Sequence, residues 1–150
     1  RYKYASTTGS NNSFWLMTRV GAPAMPLPGA KEPEAGKRFE RDINEGHYPD
    51  MVNCTTHNWT DQPHQSHHEK FTYDGVDFSK DFHIFGLEWT ETDIVYFVDG
   101  KEVMRDKNDF CSSPAAIILS MAIIPWAGEV TDALDGTYME IDYVRVYKEK

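Results

Sequence analysis

The sequence predicts an all-β fold, a sandwich of two antiparallel sheets. Short runs rich in β-branched and aromatic residues recur along the chain with turn signals between them. An Asp99-Gly100 pair between two such runs is a two-residue hairpin signal. No stretch carries a convincing amphipathic helical pattern, and no internal repeat is present. At 150 residues, the chain suits one domain spanning 1–150 with a sizeable core.

The elements follow in order. Tyr2, Tyr4 and Ala5 begin a strand that runs into a turn at Gly9-Ser10-Asn11-Asn12. Ser13 to Thr18 is a compact apolar strand. Residues 21–37 hold Pro23, Pro26, Pro28 and Pro33 with Gly21, Gly29 and Gly36, which excludes a strand or helix core and predicts a surface loop. Residues 38–46 form an acidic strand. Met51 to Trp59 is another strand, with β-branched content. Residues 60–70 are polar and histidine-rich and predict a solvated loop. His64, His67 and His68 match no strong metal-ligand spacing. Phe82–Trp89 and Ile94–Val98 are strands around a turn at 90–93, and Lys101–Arg105 returns after Asp99-Gly100. Ala115–Ile124 is a long apolar strand broken by Pro125-Trp126-Ala127-Gly128. A loop at 129–136 precedes a final alternating strand, Tyr138–Tyr147.

The acidic strand carries the chemistry. Glu40, Asp42 and Glu45 lie within six residues. Strand side chains alternate faces, so Glu40 and Asp42 point the same way, and regular alternation would add Asn44 rather than Glu45. One extra residue in a β-bulge between Asp42 and Glu45 brings Glu45 round. Like charges crowded on one face raise the pKa of at least one of them. A retaining glycosidase needs such a pair, one carboxylate as nucleophile and one neutral carboxyl as acid, about 5–5.5 Å apart. The alternative from this stretch alone is a solvated acidic strand.

A net charge of −9 argues against nucleic-acid or anionic-membrane binding, which need a basic face. No apolar run reaches the length of a membrane span. No signal peptide is visible, and Arg1 reads as the inside of a strand, so a fragment or processed chain is expected. Cys54 and Cys111 allow one bridge or two free thiols.

Phe14-Trp15-Leu16-Met17, the Glu40-x-Asp42-x-x-Glu45 pattern and His57-Asn58-Trp59 resemble glycoside hydrolase family 16. So do Phe82 to Trp89, Val98-Asp99-Gly100-Lys101 and Ile141 to Tyr147, in the family's order. The resemblance implies a concanavalin-like β-jelly-roll with a substrate cleft on its concave face. It implies endo-acting, retaining hydrolysis of β-glycosidic bonds, with Glu40 as nucleophile, Glu45 as acid/base and Asp42 steering the nucleophile. The spacing matches the bulged, laminarinase- and agarase-like branch. A β-glucan of the laminarin type is the expected substrate. A β-galactanase acting on agar or porphyran is the alternative, kept open by Arg19, Lys37 and Arg38 beside the cleft, and a non-catalytic carbohydrate-binding sandwich is the other.

Trp15 resembles the family's aromatic platform, and His57 a histidine near the nucleophile able to bond substrate or Asp42. Trp126 on its loop and Trp59 are expected sugar contacts, and Trp89 a core residue. Catalysis implies no cofactor. Asp142 resembles an aspartate that helps bind a structural calcium, whose other ligands would lie before Tyr2. The family's N-terminal strands are also absent, so a second chain segment is expected to supply them, and a secreted or cell-surface location is implied. Arg41 departs from the family's aliphatic residue. Facing between the sheets, it needs a carboxylate partner or an irregular strand, or else it is a damaging substitution.

Overall fold

The structure, a computed structural model, describes residues 1–18, 37–60, 63–109 and 113–148. The expected loop at 21–37 lies almost wholly outside the described residues, as do Arg19 and Cys111. Ten strands are described: β1 (Tyr2–Lys3), β2 (Ser10–Thr18), β3 (Phe39–His47), β4 (Met51–Asn58), β5 (Gln65–Thr72), β6 (Phe85–Trp89), β7 (Asp93–Val98), β8 (Lys101–Lys107), β9 (Ala115–Ile123) and β10 (Glu140–Ile141). All their ladders are antiparallel. The larger sheet runs β5-β4-β3-β2-β9, the second β6-β7-β8, and β1 pairs with β10.

The two larger sheets form the sandwich, and the core sits between them. Leu16, Ile43, Val52 and Cys54 meet Phe85, Ile94, Tyr96, Val98 and Met104, with Tyr2, Tyr4 and Phe78 closing one end. A polar tie crosses the same gap: the Tyr96 hydroxyl lies 2.7 Å from Thr56 Oγ1. The β7–β8 hairpin turns at Asp99-Gly100, both with positive φ (48° and 79°), as a primed turn requires. Trp89 packs edge-on against buried Phe39 at 5.2 Å, the core role expected of it.

Several boundaries differ from expectation, among them β6, which begins at Phe85 and not at Phe82. β2 starts at Ser10, because Asn11 and Asn12 pair with His47 and Gly46 instead of turning. The histidine-rich stretch is largely strand: β5 pairs along the whole of β4. The sheet ladder at the C-terminal end covers only Glu140 and Ile141, and 142–148 continue without a strand assignment. Within 129–136, Asp132–Leu134 forms a 3₁₀ turn, as does Pro125–Ala127 before it.

Candidate active site

The strand register builds the site. β2 is regular, so Ser13, Trp15 and Met17 share one face. Their direct partners on β3 are Glu45, Asp42 and Glu40, in that order. All three carboxylates therefore stand on one face of the five-stranded sheet. The phase shift that permits this is a bulge. Asp42 faces Trp15 and Asn44 faces Phe14, leaving Ile43 with no partner across the ladder. Ile43 and Asn44 both turn inward. Ile43 joins the core, and Asn44 Nδ2 donates to the buried Tyr2 and Tyr4 hydroxyls at 2.7 and 2.8 Å. On the other side β4 also skips one residue between Asp42 and His47. There side chains bond into the gap: Asn53 Nδ2 donates to the Glu45 carbonyl at 2.7 Å, and the Cys54 thiol to the Ile43 carbonyl at 3.3 Å. Cys54 is buried and free, and burial pushes its thiol up to about 12.

Each carboxylate has its own setting. Glu40 Oε2 accepts from Trp59 Nε1 at 2.7 Å. Asp42 Oδ2 lies 3.1 Å from His57 Nε2. Glu45 Oε1 accepts from Asn11 Nδ2 at 3.0 Å. Burial raises the Glu45 pKa above the ordinary carboxylate range; the Asn11 bond opposes this and the charge of Glu40 adds to it. Asp42 is pushed up to about 7, first by burial and then, against the His57 bond, by Glu40 and Glu45. Burial lowers the His57 pKa, but the bond to Asp42 and the three carboxylates outweigh it, so the net shift is upward. Asp42 and His57 thus titrate as a linked pair. A graded set of neighbouring carboxyls of this kind can hold one group ionised and another protonated at the same pH.

Arg41 lies on the opposite face, fully buried. Its Nη1 donates to the carbonyls of Glu40 and His57, each at 3.2 Å, and its guanidinium sits 4.5 Å from the Phe39 ring centroid. It therefore clamps, from below, the cross-strand pair Glu40–His57 that the site uses from above.

The aromatic residues divide into two groups. Trp15, half-buried on the site face opposite Asp42, donates its indole N–H to Ser120 Oγ at 3.1 Å. Trp126 is 57% exposed on its 3₁₀ turn and meets the edge of His47 at 4.5 Å. Trp59 directs its indole N–H to the nucleophile candidate, and one ring face is stacked by His64 at 3.8 Å and 11°. Sequence reasoning missed His64, Asn11, Asn53 and His47. Asn11 follows β2's alternation two residues before Ser13, a signal hidden by reading a turn there. Asp142 is remote from these groups in the fold, and its Oδ2 takes the Arg1 guanidinium at 2.8 Å. One carboxylate already paired to a cation is far from the six to eight oxygens calcium takes, so the described residues do not fit that ion by themselves.

The family model for glycosyl hydrolases family 16 matches residues 34–145. The chain belongs to that family. Among curated relatives, a beta-glucanase of Acetivibrio thermocellus is 34% identical over 80 residues, covering 49% of this chain and 23% of the relative. Glucan endo-1,3-beta-glucosidase A1 of Niallia circulans is 30% identical over 131 residues, covering 74% of this chain and 19% of that protein. The chain thus spans less than a quarter of either relative. A non-specific family 16 endo-beta-1,3(4)-glucanase, crystallised with a glucan oligosaccharide, superposes with a TM-score of 0.76 at 29% identity, covering 99% of this chain and 58% of that one. The catalytic domain of a laminarinase from Thermotoga petrophila RKU-1 gives 0.68 at 25% identity, covering 93% and 57%. The antiparallel sandwich is therefore a family 16 arrangement in fold as well as in sequence.

Proposed function

We propose that this family 16 chain is an endo-acting, retaining hydrolase of internal β-glycosidic bonds in a β-glucan of the laminarin type. The observation that carries the reading is the register of β2 on β3, which sets Glu40, Asp42 and Glu45 on one face beside Trp15. The beta-glucanase and endo-1,3-beta-glucosidase names of the relatives support the glucan assignment.

In the first step Glu40, oriented by the Trp59 N–H, attacks the anomeric carbon. The bond to the leaving oxygen breaks, and protonated Glu45 supplies that oxygen's proton. In the second step a water gives its proton to Glu45 and its oxygen to the anomeric carbon, which releases Glu40. The raised pKa of Glu45 suits it to the acid role. Asp42, held by His57, limits the charge beside the nucleophile. Trp15 and Trp126 offer faces to sugar rings, while Trp59 and His57 serve the carboxylates as well as substrate. No cofactor enters. A calcium at Asp142 belongs to the reading only if ligands from elsewhere in the polypeptide complete its shell, and a melting midpoint unmoved by chelator would remove it.

Two further parts belong to this reading. A polysaccharide substrate calls for action outside the cytoplasm, and a secretion signal in the full reading frame is the check. Strands from another part of the polypeptide cover apolar surface that the described residues leave open.

Digesting laminarin, lichenan, agarose and porphyran side by side tests the function. Laminarin should yield mixed oligomers early, with the anomeric configuration retained. Glu40→Gln should lose activity on the order of 10⁴-fold or more while still binding sugar, and Glu45→Gln roughly 10²–10⁴-fold. No release from any glycan, or full activity in Glu40→Gln, overturns it.

A further inference from the structure

His64 lies just before β5, in a stretch whose composition suggests nothing but solvent exposure. His64 is exposed, yet its ring contacts two residues of the site. Nε2 lies 2.9 Å from His57 Nδ1. The ring plane stacks on Trp59 at 3.8 Å and 11°. These neighbours are the two residues that hold the reactive strand's carboxylates: His57 Nε2 faces Asp42 Oδ2, and Trp59 Nε1 donates to Glu40 Oε2. One imidazole thus braces both arms.

We infer that His64 is a positioning residue, which fixes the His57 ring through Nδ1 and the Trp59 ring through its face, and so sets the placement of Asp42 and Glu40. This rests on the glycosidase reading for its catalytic consequence, but not for its structural one.

The chemistry is self-consistent in either charge state of His57. With Asp42 ionised, His57 Nε2 must be the donor toward it. His57 Nδ1 is then an acceptor if the ring is neutral and a donor if it is imidazolium. His64 Nε2 answers both, giving a proton in one tautomer and a lone pair in the other. A phenyl ring can reproduce the stack on Trp59 but not this exchange. An amide can reproduce the polar contact but not the stack. The groups around His57 are Glu40, Asp42 and Glu45 on β3, Trp59 just after its own strand, and His64; His68 of β5 acts with it on Glu45.

The test compares wild type with His64→Phe, His64→Gln and His64→Ala. Turnover on laminarin is measured with urea midpoints and the ¹⁵N resonances of the His57 ring. Losing one hydrogen bond of this class predicts a kcat about 10-fold lower in His64→Phe. KM should stay within about twofold, since the contact is to the protein's own carboxylate-holding residues and not to the sugar. The His57 Nδ1 resonance should move to the position of a nitrogen without a partner. His64→Gln should recover part of kcat, and His64→Ala should be the weakest. Wild-type kcat together with an unmoved Nδ1 resonance in His64→Phe overturns the inference. So does equal loss in all three variants that tracks their urea midpoints, which would make His64 an ordinary structural residue. If wild type cleaves no glycan, the function reading falls and the Nδ1 resonance alone decides whether His64 fixes His57.

Discussion

Asp42 carries the largest electrostatic tension at the site, and that tension has a sign. Its carboxyl is pushed up to about 7 in the folded chain, against an ordinary 3.8. Between those values the folded state holds a proton that the unfolded state has released, so stability falls as pH rises from about 4 to about 7. His57 acts in the same direction. Its raised value gives stability that is full below the ordinary imidazole pKa and lost as pH climbs through the raised one. Asp42→Asn should therefore flatten the stability profile. At pH 8 the variant should melt above wild type by about 2 kcal/mol, roughly 4–8 °C, with the gap closing near pH 4. A variant that melts below wild type at pH 8 would refute this. The shared face of the acidic trio was legible in its spacing, whereas Trp15 and His57 were legible only through the resemblance to family 16. His64 was not, since its place depends on where β5 folds back along β4, which no local pattern encodes. Arg41 was legible as a problem, but its answer was not. The clamp on two backbone carbonyls exists only once Glu40 and His57 are paired.

At the scale of the element, β3 is tuned on both faces. The bulge was inferable because a Glu-x-Asp-x-x-Glu spacing cannot otherwise share a face. Gly46 has a separate task on the core side. A Cβ there would overlap the ring of Tyr4, which is buried and bonded to Asn44 and to the Met51 carbonyl. Gly46→Ala must shift β3 or expel Tyr4, so we expect a loss of ~1–3 kcal/mol in urea unfolding and reduced activity from the neighbouring Glu45. An unchanged midpoint would show that Tyr4 has room to move. β5 was unreadable for a simple reason: seven of its eight residues are exposed, so the strand carries no hydrophobic alternation. It is an outer strand held by its ladder to β4, with His67 pairing across to Asp106 at 2.6 Å. The expected long C-terminal strand failed in the opposite way. Its alternation is real, but the described residues offer a ladder only to Glu140 and Ile141.

For the molecule as a whole, the two sheets differ in width. Among the described residues five strands face three, and part of the inner face of β9 is exposed. Ile117, Met121 and Ile123 pair with Leu16, Asn12 and Ser10 and so share their inner face, yet they are exposed, Ile123 by 58%. Val146 and Tyr147 are exposed by 76% and 81%. Exposed apolar side chains of this size offer a surface that a further contact would cover. The chain of 150 residues, expressed alone, should therefore bind a hydrophobic dye and self-associate, and polypeptide that supplies strands over β9 should suppress both. A stable, dye-silent monomer would refute this. The sandwich class was legible from turn spacing, whereas the unequal widths were not, because width depends on which strands pair and not on how many there are.

The side-chain stitching between β3 and β4 has a further consequence. From Ile43 to Gly46 the register between these two strands is broken, and Asn53 and Cys54 bond to carbonyls within that gap. Deuterium should therefore enter the amides of this short span sooner than those of Phe39 to Asp42. The carboxyl proposed as acid/base would then ride on a more yielding part of β3 than the one proposed as nucleophile.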